Sequence, residues 1–220
     1  MLEKRNISIV IADDHPMILK GLHDELQENN YNVVGQAENG MQALELIITH
    51  NPTIALLDID MPILTGFEVI KMAKQKKVDT KFIILSFHKE KDYLSQAKAL
   101  QINGYLLKED PFSEIEACIA CVLNNDVCFS RSLAPDSLAS VSEDIKKLKL
   151  LTASEKTILK LVASQMTSNE IAEQLFISIR TVEKHRSNIL MKLELENNTP
   201  NALTGWAYSH RNIIKELEGP

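Results

Sequence analysis

Five short apolar runs, each followed by a helical pattern, constrain this chain more than any other feature. The runs fall at about 7–12, 31–37, 53–58, 81–86 and 103–107, and the helical patterns at about 15–29, 39–50, 64–77, 91–101 and 111–124. Strands separated by helices pair in parallel, and the crossover helices cover the faces of the sheet. Runs such as Lys81-Phe-Ile-Ile-Leu-Ser86 are apolar without alternation, as strands buried on both faces require. The expectation is an α/β domain over residues 1–124, a five-stranded, doubly wound parallel sheet, with Pro111 in the first turn of its last helix.

From about 125 to 149 the pattern loosens into a segment with Ser130, Ser132, Pro135, Ser137, Ser140 and Ser142, read as a linker with room for a short helix near its end. Residues 150–220 read as a small all-α domain. Thr152-Ala-Ser-Glu155 and Thr167-Ser-Asn-Glu170 are capping boxes, in which a hydroxyl and a glutamate satisfy free N–H groups at a helix start. Charge divides along the same line. Residues 1–130 carry 12 basic and 19 acidic side chains, and residues 131–220 carry 12 and 11, so the two parts are suited to different partners. No apolar run approaches the roughly 20 residues of a membrane span, and a cytoplasmic protein without a membrane partner is expected. Three cysteines do not make a disulfide framework. Cys118 and Cys121 have CxxC spacing but share an apolar helical pattern with Ile115, Ile119 and Val122, so they read as core; Cys128 reads as a partly exposed thiol without a role.

The chemistry is concentrated at strand ends. Asp13 and Asp14 close the first run, Asp58 the third, Ser86 the fourth, and Lys108 follows the fifth. In an open parallel sheet the carboxyl ends of the strands form the ligand crevice, so three carboxylates meet there and repel unless a cation holds them. Few carboxylates with room for water and phosphate oxygens suit Mg²⁺. Phosphoryl transfer needs a nucleophile, a metal and donors for the remaining charge. Asp58 fits the first role, Asp13 and Asp14 hold the second, and Ser86 and Lys108 supply the third. Any one of these residues alone would read as a turn or cap; the five together in this order do not.

Residues 6–124 resemble the receiver domain of bacterial two-component response regulators, a flavodoxin-like fold. The resemblance implies that Asp58 is the phosphoacceptor and that Asp13, Asp14, Asp58 and the backbone carbonyl of Asp60 bind Mg²⁺. It further implies that Ser86 is the switch hydroxyl, Tyr105 the switch aromatic and Lys108 the phosphoryl-contacting lysine. Pro62 and Gly66 match the loop after the phosphoacceptor, and Asp13-Asp-His15-Pro16 resembles the opening of the subfamily with a LuxR-type output domain. His15 reads as a rim residue, because no other histidine has a spacing that pairs with it. The Asp60 side chain places a second carboxylate near the phosphoryl group and is expected to tune dephosphorylation. Asp58-Ile-Asp60 also resembles the nucleophile motif of haloacid-dehalogenase-type phosphatases, but the acidic pair precedes it here and Pro62 replaces the usual threonine or valine. The chain is therefore not read as an enzyme.

Residues 152–195 resemble the LuxR-type helix-turn-helix through Leu151-Thr152, Glu155, Ile158-Leu159, Glu170-Ile-Ala172, Leu175, Ile177-Ser178, Thr181-Val182, His185-Arg186, Ile189 and Lys192-Leu193. At about 100° per residue, Val182, Arg186, Ile189 and Leu193 face the domain, while Arg180, Lys184, Ser187, Asn188 and Met191 face outward. Lys184, Ser187 and Asn188 are expected to read bases, and Thr181, His185 and Lys192 to meet the DNA backbone. Ser164-Gln165-Met166 departs from the family where a glycine is common, and Trp206 and Tyr208 are unusual aromatics in a helix that often forms the dimer contact. The whole implies a transcription regulator switched by a sensor histidine kinase, binding double-stranded DNA and forming a homodimer on phosphorylation or DNA binding. An adaptor that uses the helical domain only for protein contacts fits a complete acidic pocket less well.

Overall fold

The structure, a computed structural model, describes residues 3–133, 143–195 and 200–216. Pro135, Ser137, Ser140 and Ser142 of the expected linker, and Asn198-Thr199, lie outside these residues. Packing divides the chain into two units, residues 1–89 with 100–134, and residues 90–99 with 135–220.

The first unit is built on β1 (Ser8–Ala12), β2 (Asn32–Ala37), β3 (Ile54–Leu57), β4 (Lys81–Ser86), β5 (Gly104–Leu107) and β6 (Cys128–Phe129), paired in parallel in the order β2-β1-β3-β4-β5-β6. The expectation of five strands is corrected to six. β6 escapes a sequence reading because two residues carry no periodicity. Its pairing comes from the chain turning back after the last helix, so that Cys128 lies opposite Gly104. The linker expected from residue 125 therefore starts later. Helices α1 (Pro16–Glu28), α2 (Gly40–His50), α3 (Gly66–Gln75) and α5 (Phe112–Leu123) connect the strands. Pro111 is the N-cap of α5 rather than a first-turn residue. The core joins Ile9, Ile11, Leu56, Ile83 and Leu106 of the strands to Leu19, Leu22 and Leu26 of α1 and Ile115, Cys118, Ile119 and Val122 of α5.

The strand order reverses between β1 and β3, the crevice at which open α/β sheets bind ligands. The loop leaving β3 is clamped there. A Cβ on Gly66 would stand 2.2 Å from the carbonyl oxygen of Asp58, so only glycine lets α3 approach this closely. The Gly66 N–H donates to the Ile59 carbonyl at 3.0 Å, and Thr65 starts α3 with a capping box closed by Glu68.

The second unit contains a helix α6 over residues 143–149, then α7 (Ala153–Ala163), α8 (Ser168–Leu175), α9 (Ile179–Lys192), α10 (Pro200–Ser209) and α11 (Arg211–Glu216). By its packing on α11, α4 (Lys91–Ala99) belongs to this unit although it is inserted between β4 and β5. Both expected capping boxes form, on α7 and α8. Leu148 and Leu151 join the core with Ile158, Leu159, Val162, Ile171, Val182, Ile189 and Leu193, so the linker expected to reach residue 149 ends before it.

Candidate functional site

Sheet register assembles the carboxylate cluster. Ala12 is paired with Leu57, and the Asp58 N–H donates to the Ala12 carbonyl at 2.9 Å, so Asp13 and Asp58 leave adjacent strands side by side. On the other flank Ser86 is paired with Leu107, and the Lys108 N–H donates to the Ser86 carbonyl at 2.9 Å. The Lys108 ammonium then spans the cluster, with Nζ 2.8 Å from Asp13 Oδ2 and 2.8 Å from Asp58 Oδ2. Asp13, Asp58 and Ser86 are buried, and the Lys108 side chain is only 2% exposed. The other oxygen of Asp58, Oδ1, accepts the Ile59 N–H at 2.7 Å.

These groups set one another's ionisation. Burial pushes the Asp58 carboxyl above its ordinary range and the nearby Asp13 adds to this, while Lys108 and the Ile59 N–H oppose it. Burial lowers the Lys108 ammonium, but the two carboxylates outweigh it and hold the group above its usual value. One cation against Asp13, Asp14 and Asp58 leaves an excess of negative charge in a low-dielectric crevice. Asp13, Asp14, His15 and Asp58 each offer one ligand atom, all within 4.8 Å of one another. This oxygen-rich set fits Mg²⁺. His15 lies at the rim, its Nδ1 2.8 Å from Asp14 Oδ1 and 3.2 Å from Asp13 Oδ1.

The Asp60 side chain points outward and meets His88, Nε2 to Oδ2 at 2.6 Å. The sequence reading named Asp60 but missed His88, since nothing in a linear pattern pairs residues 28 apart on separate loops. Phe87 was also missed; its exposed ring lies 5.2 Å from the Lys108 ammonium. Ser86 Oγ accepts the His88 N–H at 3.2 Å. The Tyr105 ring is fully buried, and its hydroxyl donates to the His88 carbonyl at 2.9 Å.

In the second unit, α8 ends at Phe176, whose left-handed backbone (φ 54°) turns the chain so that the Ile177 N–H reaches the Ala172 carbonyl at 3.0 Å. Ser178 caps α9, its Oγ accepting the Thr181 N–H at 3.1 Å. As the periodicity predicts, Val182, Arg186, Ile189 and Leu193 are buried, while Arg180, Lys184, Ser187 and Met191 are exposed and Asn188 is half-buried. Thr181 shares a 2.8 Å hydrogen bond with Ser178. His185 is half-buried, with Nδ1 enclosed and lacking a hydrogen-bond partner. Lys192, expected to meet the DNA backbone, is engaged within the domain. Its ammonium donates to Glu155 Oε2 at 2.7 Å and to the Leu150 carbonyl at 3.2 Å, because the buried Glu155 carboxylate requires a cation. Trp206 packs partly against the core and stacks on His210 with ring centroids 4.1 Å apart.

Two family models match the chain. The response regulator receiver domain covers residues 9–120, and the luxR family of bacterial regulatory proteins covers residues 149–203. The transcriptional regulatory protein YhcZ of Bacillus subtilis is 33% identical over 215 residues, 96% of this chain and all of that protein. The transcriptional regulatory protein DesR of the same organism is 34% identical over 192 residues, 87% of this chain and 92% of that protein. Among solved structures, RcsB from Salmonella enterica serovar Typhimurium, bound to promoter rprA in the presence of the phosphomimetic BeF₃⁻, matches with a TM-score of 0.62 and 26% identity, covering 97% of this chain and all of that one. The chain belongs to the two-component response regulators that join a receiver domain to a LuxR-type DNA-binding domain, a family of transcription factors rather than enzymes.

Proposed function

We propose that Asp58 accepts a phosphoryl group from a sensor histidine kinase, and that this switches dimerisation and promoter binding in the bacterial cytoplasm. The observation that carries the proposal is the buried Lys108 ammonium held between Asp13 and Asp58. A lysine so placed has no exposed surface to solubilise, and it stands where charge on a phosphoryl group would develop. A carboxylate oxygen of Asp58 attacks phosphorus as the bond to the donor imidazole breaks, and that imidazole takes up a proton. Asp13, Asp14, Asp58 and the backbone carbonyl of Asp60 would hold Mg²⁺, which would neutralise charge on the phosphoryl oxygens. Lys108 and the Ser86 hydroxyl donate to those oxygens. Tyr105 is already turned into the fold, so its part in switching is to hold the His88 backbone in place.

DNA is the partner of α9. Lys184, Ser187 and Asn188 present the polar outward face, flanked by Thr181 and His185. A two-fold dimer matches inverted half-sites. The RcsB relative, bound to a promoter with a phosphomimetic, supports this partner and its coupling to phosphorylation.

The test is capture of genomic DNA fragments by the full chain, with and without acetyl phosphate and Mg²⁺. Fragments sharing an inverted repeat should be enriched by treated wild type and not by treated Asp58→Asn. Equal enrichment by both proteins would overturn the proposal.

A further inference from the structure

All three cysteines converge at one edge of the receiver, although two are on α5 and the third is on β6. A Cβ on Gly104 would lie 2.7 Å from the Cys118 sulfur, so Cys118 stands directly over Gly104. Gly104 is in turn the register partner of Cys128, whose N–H donates to the Asn103 carbonyl at 2.9 Å. Residues partnered across adjacent strands project to the same face, which brings the Cys118 and Cys128 sulfurs together. Cys121, one turn further along α5, also reaches the Cys128 sulfur. Cys118 is buried in the core, whereas Cys121 and Cys128 are half-buried.

We propose that Cys118 and Cys128 are a reversible oxidation site for hydroperoxides, with Cys128 the attacked thiol, Cys118 the resolving thiol and Cys121 a hydrogen-bond donor to Cys128. The Cys128 thiolate attacks one peroxide oxygen, the O–O bond breaks, and a sulfenic acid and hydroxide form. The Cys118 sulfur then attacks the sulfenic sulfur, an S–S bond forms, the S–O bond breaks and water leaves with the Cys118 proton. Two thiols and one hydrogen peroxide become one disulfide and two waters. The sulfurs lose two electrons and the peroxide gains them; a thiol reductant reverses the change.

The ionisation of the cluster supports the division of labour. Hydrogen bonding from Cys118, and less from Cys121, outweighs burial and pushes the Cys128 thiol down to about 7, while Cys118 is pushed up by its hydrogen bond to Cys128 and by burial. Cys128 thus carries the thiolate and Cys118 the proton. The cross-link would tie α5 to β6, whose Phe129 is paired with Tyr105.

The test treats the full-length reduced protein with hydrogen peroxide, blocks remaining thiols with N-ethylmaleimide, and maps non-reduced peptides by mass spectrometry. Wild type and Cys121→Ser should give a Cys118–Cys128 cross-link, about 2 Da lighter than the two free peptides and reversed by dithiothreitol. Cys128→Ser, changed at a half-buried position, should give none. Before oxidation, iodoacetamide should label Cys128 roughly fivefold faster than Cys121 at pH 7. Over-oxidation without a cross-link, a cross-link that survives Cys128→Ser, or equal labelling of Cys128 and Cys121 would each overturn the proposal.

Discussion

The imidazole of His88 meets the carboxylate of Asp60 at 2.6 Å, two residues beyond Ser86 and two beyond Asp58 respectively, so the pair links the loop leaving β3, which begins at Asp58, to the loop leaving β4. This contact holds the Asp60 carboxylate, and so its charge, at His88. Removing His88 should free that charge to destabilise phospho-Asp58. His88→Ala is expected to shorten the phospho-Asp58 half-life about fivefold, equivalent to about 1 kcal/mol. Asp60→Asn in the same background should restore it. A half-life unaffected by either change would show that the pair has no part in dephosphorylation.

Lys108 is the only cation observed within 4 Å of Asp13 Oδ2 and Asp58 Oδ2 among the described residues. Lys108→Met leaves two buried carboxylates facing each other, at a cost of about 3 kcal/mol. Urea denaturation without Mg²⁺ should show this loss. Adding Mg²⁺ should stabilise the variant more than wild type, because the extra charge favours ligand binding to the folded state. Equal stabilisation of both proteins would contradict the assigned electrostatics.

In the second unit, burial pushes Glu155 up, but the Lys192 ammonium and the Thr152 N–H outweigh it and hold the carboxyl below its ordinary value. A depressed carboxyl stabilises the fold above its unfolded value, and that stability is lost as pH falls through the folded value. Denaturant titrations from pH 7 into the acid range should show this loss in wild type and a flatter profile in Glu155→Gln. Lys192→Ala should cost about 2 kcal/mol of stability at pH 7, since one buried partner is left unpaired. A Lys192→Ala protein of unchanged stability would contradict the stabilising role of this pair.

Lys184 is exposed on the outward face of α9 and appears in no ion pair among the described residues. Lys184→Ala should weaken binding to an operator about tenfold and lower the salt slope by about 1. Unchanged affinity and slope would remove Lys184 from the interface.

The sequence carried those parts of the molecule that periodicity and strand ends determine. Asp13, Asp58, Ser86 and Lys108 could be placed together because each closes an apolar run, and parallel pairing brings the ends of such runs to one edge. Val182, Arg186, Ile189 and Leu193 followed from the helical period alone. What escaped depends on contacts between distant loops or on very short elements. The Cys128-Phe129 strand is too short to show a pattern, and without it Cys128 has no visible neighbour. His88 and Asp60 meet through loop geometry. The Lys192 charge was visible in the sequence, whereas the burial of its partner Glu155 was not.

Transfer of a phosphoryl group to Asp58 should change the assembly of the chain. The most direct measurement is intact mass after incubation with acetyl phosphate, with and without Mg²⁺, each sample also being run on a sizing column. A Mg²⁺-dependent adduct of about 80 Da is expected in wild type and not in Asp58→Asn, together with a shift towards dimer. A folded wild-type protein that gains no adduct, or gains it equally in the Asp58→Asn variant, would contradict it.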